Sequence, residues 1–207
     1  MDDAYSRISR FYDRVIEPVN APLRAIGRRM HEPPPGGKVL DIGCGTGTHL
    51  AVYADTGAEL YGVDLSPSML ARAKARLGGR ADLRVADAGE LPFPDATFDL
   101  VIAASMLHEL EPRTAEQIVA EVRRTLRPDG RFLIVEFCTG GLTAKGRLIR
   151  AITHLVERIA GRRHYRSFRI FMRRGGVPAL TVHHGFAVED ERVVSGGNMH
   201  IVVLSPP

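Results

Sequence analysis

Two cysteines, Cys44 and Cys138, are too few for a disulfide framework and make no zinc-binding set. No apolar run approaches the ~18 residues that a membrane-spanning helix needs. The opening residues, Met1-Asp2-Asp3-Ala4-Tyr5, lack the basic-then-apolar pattern of a secretory leader, so a reduced, cytoplasmic setting is expected. Two glycine-rich fingerprints are missing as well. The only Gly-Lys pair, Gly37-Lys38, is followed by Val39 rather than Ser or Thr, which excludes a phosphate-binding P-loop. In Gly43-Cys44-Gly45-Thr46-Gly47-Thr48, a threonine stands where the dinucleotide fingerprint requires its third glycine.

What remains is the composition of an ordinary globule: 207 residues, 44% hydrophobic and 25% charged. Length favours one domain over 1–207, with 1–35 as an N-terminal helical cap and 140–175 as an insertion. Val39, Leu40 and Ile42 read as a buried strand that runs into the alternate glycines. Glycine tolerates positive φ and lets a ligand approach the backbone without meeting a Cβ. A helix over His49–Asp55 is expected next, its first N–H groups offered to an anionic ligand group. Asp41 just before the glycines would repel a pyrophosphate and suits a ligand carrying an amino group.

Strand–helix alternation from 38 to 136 argues a doubly wound parallel sheet. A strand over Glu59–Val63 ends at Asp64, and Ser66-Pro67 caps a helix to Leu77 that Gly78-Gly79 stops. A third strand over Asp82–Ala86 ends at Asp87, and a fourth covers Phe98–Ala103. Thr114-x-x-Gln117 reads as a capping box for a helix reaching Leu126. Pro128-Asp129-Gly130 turns into a fifth strand, Arg131–Val135, ending in Glu136. Pro18 and Pro22 are expected to break the N-terminal segment into short helices. A short helix near Pro178–His184 and strands around Val188–Val194 and His200–Leu204 complete the chain.

The acid followed by Gly-x-Gly-x-Gly resembles the first motif of class I methyltransferases that use S-adenosylmethionine, and the order of later strands and acids matches that family over nearly all of the chain. The resemblance implies a Rossmann-like α/β sheet of seven strands, mostly parallel with one antiparallel strand. It implies S-adenosylmethionine as cofactor and methyl transfer to a small-molecule acceptor as the activity. Asp41, Gly43, Cys44, Gly45, Thr46 and Gly47 would then meet the cofactor. Asp64, Leu65 and Met69 would do so after the second strand, Asp64 accepting from the ribose hydroxyls. Asp87 and Ala88 would hold the adenine, and Ala104 would flank the site. An acceptor that must lose a proton needs a base, for which His108, Glu136, His164 and Tyr165 are the candidates; Cys44 reads as a small side chain rather than a nucleophile. No metal is expected.

The insertion carries ten Lys/Arg against one acid, Glu157. Leu148, Ile149, Ile152, Leu155, Val156 and Ile159 recur there at helical spacing. Three readings follow: a helix on an anionic membrane surface, a lid on the core with solvated arginines, or a nucleic-acid contact. The last ranks lowest, since no recognised RNA-binding module accompanies it. Tyr5–Asp13 and His164-Tyr165-Arg166 look like the menaquinone/ubiquinone C-methyltransferases and small bacterial phospholipid N-methyltransferases. That likeness implies a lipid-like acceptor and peripheral attachment to the inner membrane face. A soluble metabolite as acceptor, or a non-catalytic S-adenosylmethionine-binding regulator, are the alternatives.

Overall fold

The computed structural model describes residues 17–207, so the expected leading helix over 5–13 lies outside the described residues. Seven strands form one sheet: β1 (Lys38–Ile42), β2 (Glu59–Asp64), β3 (Ala81–Val85), β4 (Phe98–Ala104), β5 (Leu126–Phe137), β6 (Ala187–Val194) and β7 (Met199–Ser205). Their order is β3-β2-β1-β4-β5-β7-β6. The strands from β1 to β5 pair in parallel, whereas β7 runs antiparallel to both β5 and β6. This is the expected mostly parallel sheet with one reversed strand. The chain leaves β1 toward β3 and then returns to lay β4 on the other side of β1. The crevice where the order reverses is where such sheets bind ligands.

Neighbouring residues of the central strands serve opposite faces. Val39, Leu100, Ile102 and Leu133 belong to one buried layer, and Leu40, Val101, Ala103 and Ile134 to the other. The first layer is covered by α1 (Glu17–Met30), α2 (Thr48–Ala51) and α3 (Pro67–Leu77), through Leu23, Leu50, Leu70 and Leu77. The second is covered by α4 (Pro112–Thr125), α6 (Arg162–Arg173) and α7 (Gly176–Val182), through Ile118, Val122, Phe171 and Val177. Burial on both faces explains why β1 and β4 are nearly continuous apolar runs. Among the described residues, no helix is long and apolar enough to cross a membrane.

Several local expectations change. Pro22 lies inside α1 on its exposed side, where a proline removes one backbone hydrogen bond without ending the helix. The helix expected over His49–Asp55 stops at Ala51, and Thr56 Oγ1 caps the Tyr53 carbonyl at 2.7 Å instead. Helix α4 starts at Pro112 without a side-chain cap, so Thr114 is not a capping residue, and Leu126 already belongs to β5. Strand β5 is longer than expected because Leu126 pairs with Phe98 before the Pro128-Asp129-Gly130 excursion and Arg131 resumes pairing with Leu100. The basic insertion is two helices, α5 (Ala144–Ala160) and α6, broken at Gly161 with φ 135°. By contrast α3 is as expected: Ser66 Oγ accepts the Met69 N–H, and Gly78 ends the helix in the left-handed region.

Candidate functional site

The glycine turn closes on β2. The Cys44 N–H donates to the Val63 carbonyl at 3.0 Å, and the Gly45 N–H to Asp64 Oδ2 at 2.8 Å. Asp64 Oδ1 accepts the Ser66 N–H at 2.8 Å, so one carboxylate ties the turn to the start of α3. Gly43, Gly45 and Gly47 all have positive φ, yet their surroundings differ. A Cβ on Gly47 would lie 3.0 Å from the Ala73 Cβ, and one on Gly43 would lie 3.1 Å from Met106 Sδ. A Cβ on Gly45 would have no atom within 4 Å.

That open space is part of a cavity of about 290 Å³ at the carboxyl ends of β1, β2 and β4. From the turn it is lined by Asp41, Gly43, Cys44, Gly45 and Thr46, and from β2 and α3 by Asp64, Leu65 and Met69. Asp87, Ala88 and Ala104 complete the expected set on this wall. Gly47 is the exception: it is a packing glycine against α3. Asp87 Oδ1 accepts the Gly89 N–H at 2.8 Å, which shapes the loop after β3.

Three further wall residues have no sequence signal: Arg24, His49 and Glu109. Arg24 is buried and reaches the cavity from α1. Burial, then the charge of Asp64, hold the Asp41 carboxyl well above the usual carboxylate range, with Arg24 opposing them. Burial and then Arg24 lower His49 to about 3, so its imidazole is neutral at ordinary pH. Its Nε2 is buried without a hydrogen-bond partner. Burial, reinforced by Asp41 and Asp64, pushes the Cys44 thiol up, which disqualifies it as a thiolate nucleophile.

None of the four candidate bases lines this cavity. Glu136 is not in a loop but inside β5, fully buried, with Oε1 accepting the Leu107 N–H at 2.9 Å. His108, in the 3₁₀ turn Leu107–Glu109, sets its Nδ1 2.9 Å from Glu136 Oε2; with a carboxylate as acceptor, that nitrogen donates. Burial lowers the His108 pKa, but Glu136, with Glu109 and Glu157, outweighs it and lifts the imidazole to about 9. His164 Nε2 lies 2.5 Å from Glu157 Oε2, and its Nδ1 lies 3.8 Å from Glu109 Oε2. Tyr165 stands apart, its hydroxyl 3.2 Å from His154 Nδ1. Of this group only Glu109 lines the cavity.

Residues 40–134 match the family described as "Methyltransferase domain". Over 121 residues the chain is 40% identical to the demethylmenaquinone methyltransferase of Beutenbergia cavernae, covering 58% of this chain and 46% of that protein. Over 106 residues it is 41% identical to the phosphatidylethanolamine N-methyltransferase of Cereibacter sphaeroides, covering 48% of this chain and 50% of that protein. The chain thus spans about half the length of these relatives. The crystal structure of the PH0226 protein from Pyrococcus horikoshii OT3 shares the fold, with a TM-score of 0.69 at 24% identity over 95% of this chain and 98% of that one. By domain match, relatives and fold, the chain is similar to the class I S-adenosylmethionine-dependent methyltransferases.

The cofactor of this methyltransferase family carries an ammonium, a sulfonium, a carboxylate, a ribose diol and an adenine. The cavity suits such a molecule on several counts. The buried Asp41 carboxyl, whose ionisation desolvation disfavours, gains a counter-ion when a cation arrives. The buried Nε2 of His49 gains a polar neighbour. The space over Gly45, which any side chain would occupy, is available to a ligand.

Proposed function

We propose that this methyltransferase alkylates a lipid-like acceptor that it meets at an anionic membrane surface. One observation carries the reading: α5 is turned inside out. Leu148, Ile152, Leu155, Val156 and Ile159 form one apolar stripe, and all are exposed, Ile159 to 77%. The opposite side of the helix, facing the protein, holds buried Glu157 and half-buried Arg150, His154 and Thr153. An apolar stripe facing water is disfavoured unless something covers it. Exposed Lys145, Arg147 and Arg158 on the same helix make anionic lipid the fitting cover. A hollow of about 330 Å³ lined by Arg162, Arg163 and Arg166 adds room for an anionic headgroup beside it. The names of the quinone and phospholipid methyltransferase relatives point the same way.

Within the cavity, S-adenosylmethionine supplies when bound a methyl group activated on sulfur. The chain's own residues align and exclude water. Asp41 and Arg24 hold opposite charges for the ammonium and carboxylate, and Asp64 accepts from the ribose hydroxyls while fixing the glycine turn. Asp87 and Ala88 address the adenine, with Leu65 and Met69 beside them. Glu109 is placed to accept a hydrogen bond from the acceptor's nucleophilic group, while His108 and Glu136 position it from behind.

The test is sedimentation with vesicles. The protein should pellet with phosphatidylglycerol-containing vesicles at low salt and much less with neutral ones, each Lys/Arg near the surface contributing on the order of 1 kcal/mol. Replacing Arg162, Arg163, Arg173 and Arg174 by Gln should release it and leave cofactor affinity unchanged. Wild-type protein that ignores acidic vesicles at low salt sinks the membrane reading and leaves α5 as a lid for a soluble acceptor.

Two predictions address the cofactor end. Asp64→Ala should weaken S-adenosylmethionine binding by about 1–3 kcal/mol, roughly 5- to 150-fold, because hydrogen bonds to a charged group are lost. Unchanged affinity in calorimetry of a folded variant would remove Asp64 from the site. Asp41 makes the affinity pH-dependent. In the free protein its raised pKa keeps it protonated at acidic pH, and a cation selects the ionised form. Binding should therefore expel a proton, and affinity should climb with pH until Asp41 ionises unaided, then level. Calorimetry in buffers of different ionisation enthalpy reads that proton directly, and no release would mean Asp41 meets no cation.

A further inference from the structure

We propose that His108, Glu157 and His164 form a site for one divalent transition-metal ion of the zinc-like, nitrogen-and-oxygen-binding class, pinning the insertion to the cavity wall. From the sequence no metal is expected, since the scattered histidines and acids show no ligand spacing. The fold brings one donor atom from each within 4.8 Å of the others. His108 Nε2 lies 3.8 Å from Glu157 Oε2, and His164 Nε2 lies 2.5 Å from the same carboxylate. Ligands at the 2.0–2.1 Å of a tetrahedral zinc site stand about 3.4 Å apart, so small side-chain shifts would complete the triangle.

Three features make this more than a cluster of polar groups. The first is the support behind His108. Glu136 takes its Nδ1 with both carboxylate oxygens, at 3.0 and 2.9 Å, which leaves Nε2 directed at Glu157. A carboxylate behind a histidine is the usual outer partner of a metal-bound imidazole, fixing its tautomer and raising its basicity. The second is burial: His108 and Glu157 are nine-tenths or more buried, so the charges are shielded from water. Three carboxylates, Glu109, Glu136 and Glu157, surround two imidazoles, an excess of negative charge that a divalent cation offsets. The third is the link to the cavity. Glu109 Oε1 lies 4.0 Å from His108 Nε2, and Glu109 also lines the cavity. Two histidines and one carboxylate suit zinc and its first-row neighbours; magnesium and calcium prefer oxygen alone.

The ligands come from the turn after β4, from α5 and from α6, so an ion here would bind the outward-facing α5 to the core.

Cobalt(II) chloride is the probe. The full chain, stripped with a chelator and exchanged into chelator-free buffer, should bind one equivalent and develop saturable visible d–d absorption. Zinc should displace the cobalt and raise the unfolding temperature. Glu157→Gln and His164→Ala should each weaken cobalt binding at least about tenfold, and Glu136→Gln, removing the outer partner, by about 10- to 100-fold. His164 is on the surface side of the cluster, its side chain 19% exposed, so its variant should fold and decides the matter if the Glu157 variant does not. Absence of saturable absorption overturns the proposal. So does binding that is identical in wild-type protein and the His164 variant, which would assign the cobalt to other surface histidines.

Discussion

Gly45→Val should yield a folded protein that no longer binds S-adenosylmethionine. At φ +52° a β-branched residue is strained, at a cost of about 1–3 kcal/mol, which a domain stable by about 5–15 kcal/mol survives. The new side chain meets no protein atom at its Cβ and projects into the cavity instead. Loss of binding therefore comes from occupied space rather than unfolding. Gly47→Val should behave in the opposite way. Its Cβ would press on Ala73 and Leu77 of α3, at 3.0 and 3.1 Å, so the unfolding temperature should fall. Calorimetry and thermal unfolding on both variants separate the two effects. Near-normal affinity in Gly45→Val would count against this cavity as the cofactor site.

The paired substitution Ile152→Asp and Ile159→Asp should abolish vesicle binding and spare the fold. Burying an isoleucine stabilises by about 1.5–3 kcal/mol, so losing two such contributions cuts membrane partition by at least about 100-fold. Two carboxylates facing acidic lipid add repulsion. Both residues are exposed in the structure, at 54% and 77%, so thermal stability and S-adenosylmethionine affinity should stay within error of wild type. Activity on a membrane-borne acceptor should drop with partition, and activity on a water-soluble analogue should not. A fall of several degrees in unfolding temperature would instead mean that the stripe packs against protein.

The glycine turn and much of the cavity wall were legible from local chemistry. Alternate glycines after an apolar run signal positive φ, and Gly43, Gly45 and Gly47 adopt it. An acid at each strand end falls on the cavity because parallel strands place their carboxyl ends together, as Asp41, Asp64 and Asp87 show. The base candidates were half legible. His108 follows β4 as expected, whereas Glu136 lies inside β5, and the bond between them depends on the β4–β5 register, where Ala104 pairs with Val135. Arg24 and Glu109 carried no pattern: a charged residue in an amphipathic helix or a polar turn looks solvated until its neighbours are known.

The sequence by itself determined the strand order's ingredients, the glycine turn, the cap of α3 and the apolar stripe of α5, because each depends on residues within a few positions of one another. Only the tertiary structure decided which way that stripe faces. Helical periodicity defines a face but not its neighbour, and the inward side of α5 is set by Gly146, where an added Cβ would collide with the Gly196 backbone. Glu157 lies on that inward side and meets His108 and His164, residues 49 positions away and seven positions on. Such meetings follow from packing between distant elements, and no spacing in the chain announces them.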